Sequence, residues 1–253
     1  MPRLGIIGTG LIGASVGLAA RARGWEVLGC DRDPAAAAEA LRVGAIQCID
    51  ERDAMYAGCD AVVIAAHVSG TLDELAALRR RTLRDDQVIL DVASVKVPVA
   101  RAGSEIRTFV PTHPMAGAER RGPAAARADL FVDRVWCYVP TGSATHTAQA
   151  AAFVEMLGAK AVAVEAEQHD AIVALTSHLP QLLAYAFTER VNERAALDPE
   201  LVDALCGPAA RELLRLGRSS PQMWDEIFRE NRAALEREVH RFRKALDARR
   251  LSG

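Results

Sequence analysis

Lysine is nearly missing from this chain. Only Lys96, Lys160 and Lys244 occur, so 28 of the 31 basic residues are arginine. Each lysine therefore asks for its own chemical explanation. Cysteine is sparse too: Cys30, Cys48, Cys59, Cys137 and Cys206 are odd in number, far apart and never in a CxxC pair. That argues against a disulfide framework and against a cysteine-built zinc site. No His, Cys, Asp or Glu group has the spacing of a metal motif such as HExxH, and no GxSxG elbow of a serine hydrolase is present. No excess of one charge exists either, because 31 basic residues face 33 acidic ones for a net charge of −2. Such a balance gives no overall field for nucleic acid or an anionic membrane. The best apolar run, residues 61–66, is far shorter than the roughly 20 residues that span a bilayer. The chain opens straight into a strand-like run without the pattern of a signal peptide. The expectation is a cytoplasmic protein with reduced thiols, with neither nucleic acid nor membrane as partner and no metal.

What remains is ordinary globular composition, half hydrophobic and one quarter charged over 253 residues. At about 150 residues per domain, that is one large domain or two modest ones. Short apolar runs at residues 3–7, 26–30, 61–66, 87–90, 108–110 and 136–139 predict strands. Stretches 11–23, 34–43, 71–81 and 98–106 between them predict helices. This alternation predicts an α/β fold of βαβ units with a mainly parallel sheet. A further helix at 148–157 and strand at 161–164 follow. Beyond Glu165 the pattern is almost all helical, with Pro180 expected to kink one long helix and Pro199, Pro208 and Pro221 at helix starts or breaks. The last helix is predicted over 221–249, with Trp224, Ile227, Phe228, Leu235, Val239, Phe242 and Leu246 forming a stripe that buries against the same chain or a second copy. The boundary is placed near residue 165, giving units 1–165 and 166–253.

The first strand runs into Gly8-Thr9-Gly10-Leu11-Ile12-Gly13, and a helix follows. In such a loop the first glycine permits a tight turn, the second lets backbone approach a pyrophosphate, and the third lets helix pack on strand. The helix N-terminus offers N–H groups and partial positive charge to phosphate. Asp31 stands 23 residues past Gly8, directly after the second strand, where a carboxylate accepts from ribose hydroxyls and repels a 2′-phosphate. The expected cofactor is NAD. Arg32 beside it suits a 2′-phosphate, which keeps NADP as the alternative; a solvated side chain is its bland reading.

In an open parallel sheet, ligands sit beyond the carboxyl ends of the strands. Two segments there carry polar groups: Asp91-Val-Ala-Ser94-Val-Lys96 and Pro111-Thr-His113-Pro. Taken alone, Ser94 reads first as a helix N-cap, and His113 as a loop histidine held extended by the following proline. His178, in Thr176-Ser-His178-Leu-Pro180, reads equally well as a packed helical histidine or as one facing a site at the kink. His67, His146, His169 and His240 show no partner pattern.

Together these segments resemble the prephenate and arogenate dehydrogenases of the tyrosine pathway. The shared motifs are Gly8-Thr-Gly-Leu-Ile-Gly-Ala-Ser15, Asp91-Val-Ala-Ser-Val-Lys96, His113-Pro-Met-Ala-Gly-Ala-Glu119 and Ser177-His-Leu-Pro180, with Leu130-Phe131, Trp136, Pro140-Thr141 and Arg211 through Trp224. The match runs over nearly the whole chain, and the second histidine motif combined with the first is the specific part. The resemblance implies a Rossmann-type, mainly parallel sheet followed by an all-helical dimerisation domain, in a homodimer. It implies NAD(P)-dependent oxidative decarboxylation of a cyclohexadienyl substrate, prephenate first and arogenate as the alternative. A non-catalytic NAD-sensing regulator is the reading from another class. It further implies that His113 is the base on the ring hydroxyl, that Ser94 bonds the same hydroxyl, and that His178, Arg215 and Glu119 contact substrate. Lys96 is similarly placed. Ala210, Glu212 and Leu214 depart from the family's usual residues around the arginine, and His67 stands where proline is usual. Gln181 is a candidate influence on the choice between a keto and an amino side chain. With the last helical stretch ending near Gly253, tyrosine feedback is expected to act at the active site itself.

Overall fold

Strand β1 (Arg3–Ile7) is buried along all its apolar length, as are β4 (Ala61–Ile64) and β5 (Val88–Asp91). Runs of Val, Ile and Leu without polar alternation mark strands covered on both faces, as in parallel sheets. The computed structural model describes residues 1–117 and 120–249 and divides into two units, Met1–Glu167 and Gln168–Gly253.

In the first unit the chain runs β1, α1 (Leu11–Arg21), β2 (Glu26–Cys30), α2 (Pro34–Arg42), β3 (Cys48–Ile49), α3 (Arg52–Gly58), β4, α4 (Val68–Leu78), β5, α5 (Val97–Gly103) and β6 (Phe109–Val110). The strands form one parallel sheet in the order β3-β2-β1-β4-β5-β6. The order reverses between β1 and β4, the switch point where such sheets open a crevice for ligand. Leu4, Ile6, Val63, Leu90 and Val110 are fully buried in its core. Three short strands make a second sheet: β7 (Thr112–Pro114) is antiparallel to β8 (Val135–Tyr138), which is parallel to β9 (Lys160–Ala163). Helix α6 (Ala144–Met156) lies between β8 and β9 in the chain.

The predicted elements recur with shifted ends, and β3 and α3 are additions. Residues 48–58 have too short and mixed an apolar pattern to show a strand and a helix by periodicity. Helix α6 begins four residues before the predicted start because Ser143 caps it, accepting from the His146 N–H. His146 is buried, with Nδ1 2.6 Å from Ser143 Oγ and Nε2 2.9 Å from the Asp85 carbonyl, a structural clasp.

The second unit is helical. Helix α7 (Ala166–Val173) passes through a π turn (Ala174–His178) into α8 (Leu179–Ala195), followed by α9 (Pro199–Leu205), α10 (Pro208–Gly217), α11 (Pro221–Glu230) and α12 (Arg232–Ala248). Pro180 therefore follows a widened turn at the start of α8, while Pro199, Pro208 and Pro221 each open a helix, where no N–H is missed. The predicted helix over 221–249 is in fact two. Asn231, at φ −110° and ψ 26°, leaves the helical region and separates α11 from α12. Helix α10 lies so close to α8 that a Cβ on Gly217 would stand 2.1 Å from Thr188 Oγ1.

The continuous helical run Ala166–Ala195 contains an 18-residue window of mean hydropathy 1.2. By length and composition it is long and apolar enough to cross a membrane, although its apolar residues do not form one uninterrupted run. The same run buries His169, Asp170 and His178, each with a protein hydrogen-bond partner. Buried polar groups in folded proteins are satisfied in this way.

Candidate active site

At the switch point β1 turns sharply into α1. Gly8 has φ +96°, and a Cβ there would lie 2.5 Å from the Ala65 carbonyl oxygen. A Cβ on Gly13 would meet the Gly8 oxygen at 2.0 Å, so helix and turn can touch only without a side chain. Gly10 differs, since a Cβ there meets nothing within 4 Å. This glycine faces open space, where its bare backbone leaves room for an anion. Gly10 is also the N-cap of α1, and no side chain caps the helix. The N–H groups at Leu11, Ile12 and Gly13 thus open the helix in the arrangement that receives phosphate.

Asp31 follows β2 and is half-buried. Its Oδ2 accepts from Thr9 N at 2.6 Å and from Thr9 Oγ1 at 3.2 Å, and its Oδ1 from Asp33 N at 2.9 Å. The carboxylate is held against the glycine loop with lone pairs to spare for a ribose. The Thr9 side chain is fully buried and turned to Asp31. Arg32 is exposed. Arg52 on α3 pairs with buried Glu74 at 3.1 Å, and its guanidinium acts on the neighbouring Cys30 thiol. Burial pushes the Cys30 thiol up against the pull of that guanidinium. Arg52 escaped sequence reasoning because it is far along the chain from Cys30 and Glu74. His67 is the exposed N-cap residue of α4, with no side-chain cap.

At the end of β5 lies a buried polar knot. Asp91 is fully buried, and its Oδ2 accepts from Lys96 Nζ at 2.6 Å and Ala93 N at 2.8 Å, its Oδ1 from Thr112 N at 2.7 Å. Lys96, also fully buried, donates to the Thr112 carbonyl at 2.5 Å, and Trp136 Nε1 donates to Thr112 Oγ1 at 2.9 Å. The Thr112 hydroxyl in turn donates to the Asp91 carbonyl. Ala93 precedes Ser94 and Thr112 precedes His113, so one carboxylate fixes both the serine loop and the histidine strand. Lys96 is therefore enclosed in this knot. Ser94 does not cap α5 either: the cap position falls to Lys96 and no side chain caps that helix. His113 is half-buried on β7, opposite Cys137. A groove of about 560 Å³ follows it in the same unit, lined by Met115, Ala116, Gly117, Arg127, Leu130 and Arg134 among others. Glu119 lies outside the described residues.

In the second unit His178 is buried at the end of the π turn. Its Nδ1 stands 3.2 Å from Asn231 Nδ2, and Trp224 meets its ring edge-on with centroids 6.0 Å apart. Burial holds the imidazole down at about 4; the nearby Asp170 carboxylate works against that, while His169 acts in the same direction as burial. The indole N–H of Trp224 is buried with no hydrogen-bond partner among the described residues. Asn231 does not stand out in the sequence, where it is a polar break in a stripe; Trp224 reads there as part of the stripe and as the end of the family-matching stretch, not as a neighbour of His178. Gln181 is buried and donates to the Leu216 carbonyl at 2.9 Å, which ties α8 to α10. Arg215 on α10 is 44% exposed in its side chain, and its Nε bonds Glu212 Oε2 at 2.6 Å. Glu212 is one of the residues that departs from the family pattern, and it meets the matching arginine directly.

Two sequence families of known domains match the chain: "Prephenate dehydrogenase, nucleotide-binding domain" over residues 16–163 and "Prephenate dehydrogenase, dimerization domain" over 165–251. The chain is 33% identical over 244 residues to the cyclohexadienyl dehydrogenase of Zymomonas mobilis, covering 92% of this chain and 82% of that protein. It is 30% identical over 238 residues to the prephenate dehydrogenase of Bacillus subtilis, covering 90% of this chain and 63% of that longer protein. The fold matches prephenate dehydrogenase from A. aeolicus, solved with hydroxyphenyl propionate and NAD+, at TM-score 0.87 and 24% identity, over 98% of this chain and 89% of that one. Synechocystis arogenate dehydrogenase matches at TM-score 0.79 and 26% identity, over 97% of this chain and 90% of that one. Parallel sheet, glycine loop, histidine strand and helical second unit together have these relatives' organisation, and the chain belongs to the prephenate dehydrogenase family.

Proposed function

We propose that the protein catalyses NAD-dependent oxidative decarboxylation of prephenate to 4-hydroxyphenylpyruvate in tyrosine biosynthesis, with arogenate as the alternative substrate. The observation that carries this reading is the Asp91 carboxylate holding the residues next to Ser94 and His113 at once. A base and a hydroxyl meant for one substrate oxygen need such common anchoring, because general-base catalysis requires hydrogen-bond reach.

Residues 1–165 serve as the dinucleotide-binding domain and 166–253 as the helical substrate and dimerisation domain. The bare cradle at Gly10, the uncapped start of α1 and the spare lone pairs of Asp31 fit a dinucleotide. When bound, NAD supplies the hydride acceptor. His113, as neutral imidazole, takes the proton of the ring hydroxyl as that carbon becomes a carbonyl, and Ser94 orients the same hydroxyl. Loss of carbon dioxide from the opposite ring carbon makes the ring aromatic. His178 and Arg215 hold the substrate's carboxylates, and Glu119 is a further substrate contact implied by the family motif. A planar guanidinium suits a carboxylate, provided Arg215 exchanges Glu212 for substrate. Asp31 favours NAD over NADP, and Arg52 is already engaged by Glu74 and the Cys30 thiol. A nicotinamide-dependent biosynthetic enzyme of this kind belongs in the cytoplasm as a homodimer.

The test is the initial rate of NADH and NADPH formation with prephenate and, separately, with arogenate. Turnover with one preferred substrate supports the reading and settles the side-chain choice. NAD binding without turnover favours the sensing role instead. His113→Asn is expected to lower kcat by about 10²- to 10⁴-fold while nucleotide binding persists; near-normal turnover removes His113 from the mechanism.

A further inference from the structure

Asn231 stands directly before α12, where an asparagine ordinarily turns its side-chain oxygen onto the first helical N–H groups. No such bond is made. The side chain is instead buried, and its Nδ2 donates to the Asp170 carbonyl at 2.8 Å and faces His178 Nδ1 at 3.2 Å. A carbonyl oxygen only accepts, so the nitrogen of the amide must be the atom that faces Asp170. An amide nitrogen carries two hydrogens, and with one on Asp170 the other is directed at His178. Nδ1 of His178 must then be the acceptor and bear no proton. In a neutral imidazole the proton is left on Nε2.

We infer that Asn231 is a positioning residue that locks His178 in its Nε2–H tautomer, so that His178 meets its ligand as a neutral hydrogen-bond donor. The π turn that ends at His178 makes this possible by loosening the regular ladder, for the carbonyls of Asp170 and Ile172 both take side-chain donors, from Asn231 and from Thr176. The titratable neighbours are on the preceding helix: Asp170, whose carboxylate takes His169 Nδ1 at 2.8 Å, and His169 itself. Among the described residues, α11 and its junction bring Trp224 and Asn231 against it, both uncharged. Burial outweighs the attraction of Asp170, and the ring stays neutral well below neutral pH. The ligand class this end accepts is an oxygen acceptor, a carboxylate or carbonyl, held without a cation from His178. Any charge on it is met elsewhere, for which Arg215 is the candidate.

The inference rests on the proposed function only in giving His178 a substrate to hold; the tautomer itself is read without substrate or turnover. Full-length protein with 15N-labelled histidine is examined by long-range 1H–15N spectra, with His178 assigned from the signals lost in His178→Gln. The expected wild-type spectrum shows Nδ1 unprotonated and Nε2 protonated at neutral pH. Asn231→Asp places only acceptors against Nδ1, so the proton is drawn there and the His178 midpoint rises by about one pH unit or more. A wild-type ring protonated on Nδ1 overturns the inference, as does an Asn231→Asp spectrum identical to wild type. If Asn231→Asp does not fold, the wild-type spectrum alone decides. Because the spectra need no turnover, a failed rate assay and a failed tautomer assignment are distinguishable.

Discussion

Asp91 and Lys96 form an ion pair in which both side chains are wholly excluded from solvent. Desolvating two charges costs several kcal/mol per ion, and the cost is offset only where further hydrogen bonds satisfy them. The Asp91 carboxylate accepts three bonds, from Lys96 Nζ, Ala93 N and Thr112 N, and Lys96 spends a second proton on the Thr112 carbonyl. Lys96→Met strands the carboxylate and is expected to lower unfolding free energy by about 3–5 kcal/mol in urea titration. Adding Asp91→Asn to it should recover part of that loss; no recovery means the pair is not the source. His178 carries a second prediction at this scale. Its pKa, near 4 in the folded chain, lies below the ordinary 6.5, so between those values the unfolded chain binds a proton that the folded chain does not. Stability therefore falls as pH drops through that window, by about 3 kcal/mol at most, and stays lost below it. Urea titrations at pH 7 and at about pH 4.5 should show a steeper acid loss in wild type than in His178→Gln, and equal losses would refute the depressed pKa.

Helix α1 is placed by its glycines in two different ways. Gly17 abuts the Ala45 carbonyl oxygen, which a Cβ would approach to 2.2 Å, whereas Gly10 faces open space. Gly17→Ala should therefore cost about 1–3 kcal/mol in stability through forced backbone shifts, read as a fall in thermal midpoint. Gly10→Ala should leave that midpoint nearly unchanged but raise the KM for NAD, because its methyl fills the space phosphate needs. The reverse pattern would mean that Gly10 is structural. The glycine motif and the separate roles of Gly8, Gly10 and Gly13 showed in the sequence, but the packing role of Gly17 did not, since the carbonyl of Ala45 is remote in the chain. The break at Asn231 was equally hidden. A hydrophobic stripe continues through it with little change of spacing, and only the backbone angles reveal two helices.

Over the whole molecule, the second unit leaves large apolar side chains uncovered. Ile172, Leu175, Leu201, Leu205 and Leu246 are all more than half exposed in one chain. Residues 165–251 match the family's dimerization domain, so these exposed side chains offer surface for a partner chain to cover. A second copy is the expected partner, so sedimentation equilibrium should give a mass about twice the 27.2 kDa of one chain. Ile172→Arg with Leu175→Arg should shift the population toward monomer; a monomeric wild-type protein would remove the homodimer from the proposal.

Read by itself, the sequence determined the alternation of strand and helix, the glycine loop with Asp31, the all-helical character of the second unit and the family. Each is written in local patterns: periodicity, turn residues or a motif of a few neighbours. Only the tertiary structure decided that Lys96 is locked inside, that Thr9 turns inward to Asp31, that Gln181 braces two helices and that Asn231 addresses His178. Those roles depend on hydrogen-bond partners far apart in the chain, 21 residues for Thr112 with Asp91 and 53 for Asn231 with His178. A buried polar group must find its partner wherever the fold brings one, and no local pattern in the sequence records which residue that will be.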